Sequence, residues 1–255
     1  MGVLNVTPDS FSDGGKFLNS SLALDHAFQM IDEGAHIIDI GGESSKPGAS
    51  AVPIDEEKKR ILPVIEELRK QSPVYISVDT YKPEVMTAAI DLGVNMINDI
   101  KAMTSKGALD VILKSGVDVT LMHMQGNPSN MQKNPTYDSV TDDVTNFLKL
   151  RINACIDYGI DEKKIILDPG FGFGKTFDDN ITLFKDINKF AELNYPLLIG
   201  VSRKSMIKKM VGNNPKDIID ASSFFASIAA RNGANILRVH DVKKTKQMLF
   251  NLKAR

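Results

Sequence analysis

The chain has 255 residues, of which 42% are hydrophobic and 25% are charged, and its formal net charge is −1. This composition is typical of a globular protein, and the charge balance excludes a protein that attracts nucleic acid over its whole surface. The single cysteine, Cys155, excludes an intramolecular disulfide and predicts a cytoplasmic location. No apolar run approaches the roughly 18 residues of a membrane-spanning helix, so we predict no membrane partner.

Short apolar runs alternate with amphipathic segments along the chain. The runs are rich in β-branched residues and most lack strict alternation, which is typical of parallel strands covered on both faces. In chain order, the predicted strands are residues 2–6, 36–40, 74–78, 95–98, 118–122, 164–167, 196–201 and 235–239. The predicted helices between and after them are residues 20–33, 55–70, 83–92, 105–115, 137–158, 179–193, 215–231 and 241–252. Ser20 is a suitable N-cap for the first helix.

The alternation of eight strands with eight helices predicts an α/β protein with parallel strands. We predict a single domain over residues 1–255, a (β/α)8 TIM barrel with its active site at the C-terminal ends of the strands. Eight is the number of strands in such a barrel, and polar residues follow nearly every predicted strand. A doubly wound open sheet has the same alternation, but it binds its ligand at one switch point.

Polar side chains follow the predicted strands and converge on one bowl if the barrel closes. In chain order they are Asn5, Glu43, Asp79, Asn98, His123, Asp168, Lys204, Arg238 and His240. Each of them alone is more often a cap or turn residue than a functional one, so the prediction depends on the set. The acidic and amide members would accept hydrogen bonds from a ligand edge rich in N–H groups. The basic members, with Lys46 in a nearby loop, suit a phosphate or diphosphate.

Glycine-rich loops follow three of the predicted strands, at residues 7–15, 41–48 and 168–176. The first two suit lids that close over a reaction. The third resembles a phosphate-binding P-loop, but its first glycine stands one residue too close to the Gly-Lys-Thr end, so we reject a P-loop. Phe171 or Phe173 in this loop would cover a flat ring.

Segments in all of these regions resemble, in order, the signature motifs of the dihydropteroate synthase family. They are residues 4–15, 41–44, 78–80, 97–99, 121–126, 168–175, 202–204 and 238–241. Each segment alone is a weak signal, but the combination is specific and runs from the first residues to the last strand. The resemblance implies a TIM-barrel transferase of folate biosynthesis. Such an enzyme condenses 6-hydroxymethyl-7,8-dihydropterin diphosphate with p-aminobenzoate and releases diphosphate and 7,8-dihydropteroate.

The resemblance also implies the roles of individual residues, a Mg²⁺ cofactor, a homodimer and a target for sulfonamides. The catalytic residues would be Asp79, Asp168, Lys204, Arg238 and His240. The pterin would be bound by Asp79, Asn98, Met122, Asp168, Phe173 and Lys204. The diphosphate would be bound by Asn5, Lys46, Arg238 and His240, with the metal near Asn5. The p-aminobenzoate would be bound by Phe11, Ser45, Pro47, Phe173, Ser202 and Lys204.

The second loop departs from the family at Ser45-Lys46, where the family usually has Thr-Arg. Lysine keeps the charge but loses the planar fork of arginine, so we expect an altered diphosphate geometry. Three other functions stay open from the sequence. They are a pterin-dependent methyltransferase on the same barrel, a lyase that forms a Schiff base at Lys204, and a pterin-binding paralogue with weakened catalysis.

Overall fold

The computed structural model describes residues 1–7 and 16–253, and this part of the chain contains eight short strands. They are β1 (Gly2–Asn5), β2 (Ile37–Gly41), β3 (Tyr75–Asp79), β4 (Met96–Asp99), β5 (Asp118–Met122), β6 (Ile165–Asp168), β7 (Leu198–Ile199) and β8 (Ile236–Leu237). Each begins and ends within two residues of its predicted bounds. The hydrophobic pattern therefore located every strand.

The strands form a closed barrel. Strands β1 to β6 pair in chain order in one parallel sheet, and β7 pairs with β8. Single bridges from Leu167 to Leu197 and from Gly2 to Val239 join the two sheets at both edges. At the second junction, the backbone N–H of Val3 donates to the carbonyl of Val239 at 3.0 Å. The ring of strands is thus complete, and the predicted TIM barrel is confirmed.

Helices surround the barrel and cover its outer face. Within the described ranges they are α1 (Lys16–Asp32), α2 (Ile54–Gln71), α3 (Pro83–Asp91), α4 (Ala108–Ser115), α5 (Val140–Asp157), α6 (Phe177–Lys185), α7 (Ile187–Ala191), α8 (Ser205–Val211), α9 (Pro215–Arg231) and α10 (Val242–Lys253). None of these helices is long and apolar enough to cross a membrane. Helix α8 has no counterpart among the predicted helices.

Several predicted helices are wrong in their bounds: those predicted from residues 105 and 137 begin three residues later, and two others differ more. Helix α1 begins before Ser20, so the predicted N-cap lies inside the helix. The single helix predicted over residues 179–193 is two helices, α6 and α7, which meet at Asp186. Helix α6 begins early because Thr176 and Asp179 form a capping box that satisfies its first N–H groups. The carboxylate of Asp186 accepts a hydrogen bond at 2.7 Å from the hydroxyl of Thr141, which lies in α5.

The strand residues alternate between the helix layer and the barrel interior. In β2, Ile38, Asp39 and Ile40 are all fully buried, and the carboxylate of Asp39 lies inside the barrel. At the bottom, the interior holds a small apolar cluster of Met96, Ile166 and Leu198. Asn5, Asp79 and Asp168 are the last residues of their strands and lie at the C-terminal end of the barrel.

Candidate active site

Predicted site residues stand side by side at the ends of the first four strands. The register of the sheet places Asn5 opposite Gly41, and Gly41 opposite Asp79. Asp79 in turn lies opposite Asn98. Gly41 leaves the space between its neighbours open, since a Cβ there would lie 3.4 Å from the Cβ of Asp79 and 3.9 Å from the Oδ1 of Asn5. Asn5 and Asp79 therefore border the same space at the mouth of the barrel.

Arg238 reaches from the end of β8 across to β2 and β3. Its Nε donates to Oδ2 of Asp39 at 2.6 Å, and its NH2 atom donates to Oδ2 of Asp79 at 2.9 Å. The fully buried Asp39 also accepts from the hydroxyl of Ser77 at 2.6 Å and from Nδ2 of Asn98 at 3.3 Å. Asp39 thus orients both Arg238 and Asn98, and its charge compensates for the buried guanidinium.

The predicted site residues do not include Asp39, although the sequence carries a signal for it. Asp39 stands between Ile38 and Ile40, inside a run that reads as a strand covered on both faces. A carboxylate in such a strand has no solvated position and needs donors inside the protein. The donors themselves come from three other strands, and sequence reasoning does not identify them.

Asn98 and Asp168 offer acceptor atoms to a ligand. The Oδ1 atom of Asn98 is buried and has no hydrogen-bond partner within the described residues. Asp168, at the end of β6, accepts the backbone N–H of Gly170 at 2.7 Å through Oδ1, which leaves Oδ2 for a ligand. Buried acceptors without partners cost free energy, so this part of the bowl favours a ligand with N–H donors.

Burial raises the pKa of both site carboxylates. The pKa of Asp79 rises to about 7, against the opposing charge of Arg238. Burial also raises the pKa of Asp168, and the ammonium of Lys204 opposes that rise. The two carboxylates therefore depend on nearby cations and on hydrogen-bond donors to remain ionised at neutral pH.

Lys204 follows β7 and lies beside the loop that follows β6. Its Nζ donates to the carbonyl of Phe171 and lies 4.3 Å from the ring centroid of Phe173. Burial lowers the pKa of Lys204 to about 8, and the charge of Asp168 opposes the fall. Met122, opposite Asp168 in the register, is buried on the neighbouring strand. The structure thus brings the predicted pterin ligands of the later strands into one part of the barrel mouth.

His240 follows β8 and contacts Ser202, which follows β7. The hydroxyl oxygen of Ser202 lies 3.0 Å from Nδ1 of His240 and accepts its backbone N–H at 3.2 Å. Burial and the charges of Arg238 and Arg203 lower the pKa of His240 to about 4. The imidazole is therefore neutral at neutral pH. Ser202 supports His240, and its contact with p-aminobenzoate stays a prediction.

The buried lysine Lys175 holds the loop after β6, a role that sequence reasoning did not identify. Its Nζ lies 2.9 Å from Nδ1 of His123, and it donates to the carbonyls of Gly170 and Phe173 at 2.9 and 3.1 Å. Burial lowers the pKa of Lys175 to about 7 and that of His123 to about 3. His123, which follows β5, is thus a neutral support for this loop. The sequence alone does not predict the contact between Lys175 and His123, because the two residues lie in different motifs.

Glycine allows the loop after β6 to pack directly on the loop after β5. At Gly170, φ is +70°, and a Cβ there would lie 1.8 Å from the carbonyl oxygen of His123. Any other residue would therefore need a left-handed backbone and would collide with the neighbouring loop. This glycine serves backbone packing, which is consistent with the rejection of a P-loop.

The loop after β2 carries Ser45, Lys46 and Pro47, and these side chains are partly or fully exposed. The loop touches the one after β5, since the N–H of Gly48 donates to the carbonyl of Pro128 at 2.9 Å. The roles of these residues towards diphosphate and p-aminobenzoate stay predictions. Phe11, the remaining predicted ligand of p-aminobenzoate, lies outside the described residues.

Asn5 is the predicted magnesium ligand. Among the described residues, no three His, Cys, Asp or Glu side chains group closely enough to hold a metal ion. The carboxylate nearest to Asn5 in the register, that of Asp79, is paired with Arg238. Mg²⁺ keeps several waters and commonly binds through a few protein oxygens together with substrate phosphates. These residues therefore fit an ion that binds together with a diphosphate.

The chain matches a known family over most of its length. The family described as pterin binding enzyme matches residues 1–240. The chain is similar to the dihydropteroate synthase of Escherichia coli strain K12, with 48% identity over 96% of this chain and 87% of that protein. The family match includes every strand of the barrel and the loops that carry the site.

Solved structures of the same family share the fold. The dihydropteroate synthase of Xanthomonas albilineans with 4-aminobenzoic acid is 45% identical, has a TM-score of 0.94, and covers 100% of this chain and 91% of its own. That of Yersinia pestis with a sulfonamide drug complex is 46% identical, has a TM-score of 0.94, and covers 100% of this chain and 92% of its own. With its barrel, its polar bowl and these relatives, the chain belongs to the dihydropteroate synthase family of pterin binding enzymes.

Proposed function

We propose that the chain condenses 6-hydroxymethyl-7,8-dihydropterin diphosphate with p-aminobenzoate, releasing diphosphate and forming 7,8-dihydropteroate. The observation that carries this proposal is the row of acceptors on Asp79, Asn98 and Asp168 beside the cations Arg238 and Lys204. A pterin diphosphate has N–H donors at one end and negative charge at the other. The relatives named dihydropteroate synthase support the same reaction.

The pterin ring would occupy the acceptor side of the bowl. The buried Oδ1 of Asn98 would gain the partner it lacks, which removes a penalty of about 1–3 kcal/mol. Asp168 would accept from the amino group and the adjacent ring N–H through its open oxygen. Met122 and Phe173 would cover the ring, and Lys204 would contact its edge.

The diphosphate would occupy the cationic side. Arg238 uses two of its N–H donors on Asp39 and Asp79, so the others remain for phosphate oxygens. His240, whose Nδ1 faces Ser202, would use its other nitrogen. Lys46 would add charge from the loop. Asn5 would hold a magnesium ion, which would supply positive charge to the leaving group.

The reaction breaks the bond between the pterin methylene carbon and the diphosphate oxygen, and the oxygen leaves with the bonding electrons. The nitrogen of p-aminobenzoate forms a bond to that carbon and loses a proton. Asp79 and Asp168 would stabilise positive charge on the pterin as the first bond breaks, while Arg238 and His240 hold the departing diphosphate. The aryl amine has a free lone pair at neutral pH, so we assign no general base.

Phe11, Ser45, Pro47, Phe173, Ser202 and Lys204 would form the p-aminobenzoate site. The Yersinia pestis relative is known with a sulfonamide drug complex, and we propose that sulfonamides bind this chain at the same site. They should then raise the apparent KM for p-aminobenzoate and leave kcat unchanged. Inhibition that p-aminobenzoate does not relieve would contradict a shared site.

Turnover tests the proposed reaction directly. Purified protein with Mg²⁺ and the pterin diphosphate should release diphosphate and dihydropteroate in equal amounts only when p-aminobenzoate is present. Asp168→Asn should lower kcat/KM by about 100-fold or more, equivalent to roughly 2.7 kcal/mol. Asp118→Asn is the matched control, because this carboxylate pairs with Lys164 at the opposite end of the barrel. Pterin binding without diphosphate release would instead identify a binding paralogue.

The order of bond breaking has its own test. We propose that the C–O bond breaks before the amine attacks, because carboxylates line the pterin side and cations line the diphosphate side. The substrate for this test is a pterin diphosphate labelled with oxygen-18 at the oxygen that joins the methylene carbon to phosphorus. Its label should move to the other oxygens of that phosphate in bound substrate, without p-aminobenzoate. Retained label in an enzyme that turns over normally would show that attack and departure are concerted.

We also propose a homodimer through the face formed by α8, α9 and α10. Met210, Phe224 and Phe250 expose 36%, 47% and 73% of their surface on this face. Helix α9 packs against both α8 and α10, so these side chains lie on neighbouring helices. Exposed apolar side chains on adjacent helices are typical of an interface. The cytoplasmic location stays a prediction from the single cysteine.

A further inference from the structure

A buried ion cluster lies at the base of the loop after β2, next to the active site. Lys82, which precedes α3, places its Nζ 2.6 Å from Oε2 of Glu43 and 2.5 Å from Oε2 of Glu57. The same Nζ donates to the backbone carbonyl of Val52 at 2.5 Å. Three separate elements therefore meet at one ammonium group: the end of β2, the first turns of α2 and the segment after β3.

The cluster is expensive to bury. The side chains of Lys82, Glu43 and Glu57 are 10%, 11% and 1% exposed. One ammonium faces two carboxylates, and Oε1 of Glu57 has no hydrogen-bond partner within the described residues. Buried ion clusters seldom stabilise a fold more than apolar side chains would. The arrangement is better explained by the geometry that it imposes.

That geometry pins both backbone groups of Val52. Its N–H donates to Oε2 of Glu43 at 2.7 Å, and its carbonyl accepts from Lys82. Residues 44–51 lie between Glu43 and Val52, so these contacts close the loop at its base. We call the group of Glu43, Val52, Glu57 and Lys82 the clasp. The closed loop includes Ser45 and Pro47.

We propose that Lys82 is a positioning residue for the transferase reaction, because it holds the end of loop 44–51 so that Ser45 and Pro47 face p-aminobenzoate. This inference rests on the proposed function. A loop that is free at one end must lose its conformational freedom when a ligand binds, whereas a loop pinned at its base has already lost part of it. The proposed pterin ligands Asn98 and Asp168 form hydrogen bonds with Asp39 and Gly170, which lie outside this cluster, so we expect pterin binding to be independent of Lys82.

The test removes the ammonium that holds the carbonyl of Val52, without leaving two buried carboxylates unpaired. The variant Lys82→Met/Glu57→Gln lacks the ammonium and one carboxylate, and Glu57→Gln alone is the matched control that retains Lys82. We expect the double variant to raise KM for p-aminobenzoate roughly 10- to 100-fold, with the Kd for the pterin diphosphate unchanged. The control and Lys82→Arg should keep a low KM for p-aminobenzoate. Equal effects on both substrates, or a double variant that behaves like the control, would overturn the proposal.

Amide hydrogen exchange gives a second readout that is independent of turnover. The N–H of Val52 donates to Glu43, and Glu43 loses the ammonium that fixes its position when Lys82 is replaced. This N–H should therefore exchange faster in Lys82→Met/Glu57→Gln than in Glu57→Gln, while amides in the barrel strands keep their protection. Unchanged exchange at Val52 would overturn the clasp even in an active enzyme. Wild-type protein that binds the pterin without releasing diphosphate would contradict the proposed reaction, and exchange at Val52 would still decide the clasp.

Discussion

Asp39 shows how one side chain organises the site. It accepts hydrogen bonds from Ser77, Asn98 and Arg238, so each donor is held in one orientation. The orientation of Asn98 matters because its Nδ2 donates to Asp39, while its Oδ1 has no partner among the described residues and can accept from a ligand. Asp39 touches no proposed substrate atom, and it acts through Arg238 and Asn98.

Asp39→Asn should therefore damage both stability and turnover. The amide cannot accept from all three donors, and it leaves the guanidinium of Arg238 with one carboxylate partner. We expect unfolding free energy to fall by about 3 kcal/mol, as measured by urea denaturation. Ser77→Ala, which removes one hydroxyl from the same carboxylate, should cost only about 1 kcal/mol. Similar losses for both variants would contradict a central role for the Asp39 charge.

His240 makes the free energy of unfolding depend on pH. Its pKa is about 4 in the folded chain against an ordinary value of 6.5, so between these values the unfolded state takes up a proton that the folded state does not. Its contribution is fully present above pH 6.5 and is lost as pH falls towards 4. The stability difference between wild type and His240→Gln should shrink by about 2 kcal/mol from pH 7 to pH 5 in urea titrations. A difference that is constant with pH would show that the imidazole titrates normally.

At the scale of elements, the site depends on how the loops after β5 and β6 pack. The lysine Lys175 ties the carbonyls of Gly170 and Phe173 to His123, and Gly170 lets the two backbones approach. These contacts set the position of Phe173, which lies under Lys204. The loop after β6 is thus held in place by several contacts and forms part of the site.

Gly170→Ala should disrupt this packing more than a left-handed backbone alone explains. Gly116, which ends α4 with φ +65°, is the matched control because a Cβ there has nothing within 4 Å. We expect Gly116→Ala to cost about 1 kcal/mol of stability. Gly170→Ala should cost about 3 kcal/mol or more and weaken pterin binding, measured by urea denaturation and calorimetric titration. Equal costs at the two positions would show that the contact with His123 relaxes easily.

At the scale of the whole molecule, closure of the barrel creates the site. The N-terminal strand and the last strand become neighbours only through the bridge from Gly2 to Val239. This closure brings Arg238 to Asp39, which is 199 residues away in the chain. The proposed dimer interface belongs to the outer surface, where the helices that follow the last two strands expose large apolar side chains.

The proposed dimer predicts a specific effect of charge on that outer surface. Phe224→Glu should raise the dimer dissociation constant by about ten-fold or more, measured by light scattering across a dilution series. Leu150→Glu is the matched control, since Leu150 is 68% exposed on α5, outside the proposed interface. A wild-type chain that is monomeric at all concentrations, or equal effects of the two variants, would contradict an interface at α8 to α10.

The strands and the polar residues at their ends could be predicted from sequence because these signals are local. A short β-branched run bounded by turn residues reads as a strand wherever it lies, and β5 matches its predicted bounds of residues 118–122. Asp79 and Asp168 were identified because each directly ends such a run. Helix ends were less readable, since the capping box at Thr176 and the contact at Asp186 compete with the periodic pattern.

The sequence by itself determined the alternation of strands and helices, the parallel barrel and the residues at its mouth. Only the tertiary structure decided which of those residues meet. Asp39 with Arg238, Lys175 with His123, and Lys82 with Glu57 are partners from distant segments. Hydrophobic periodicity reports which face of an element is buried, whereas the partner of a buried charge depends on the closed barrel that brings two faces together.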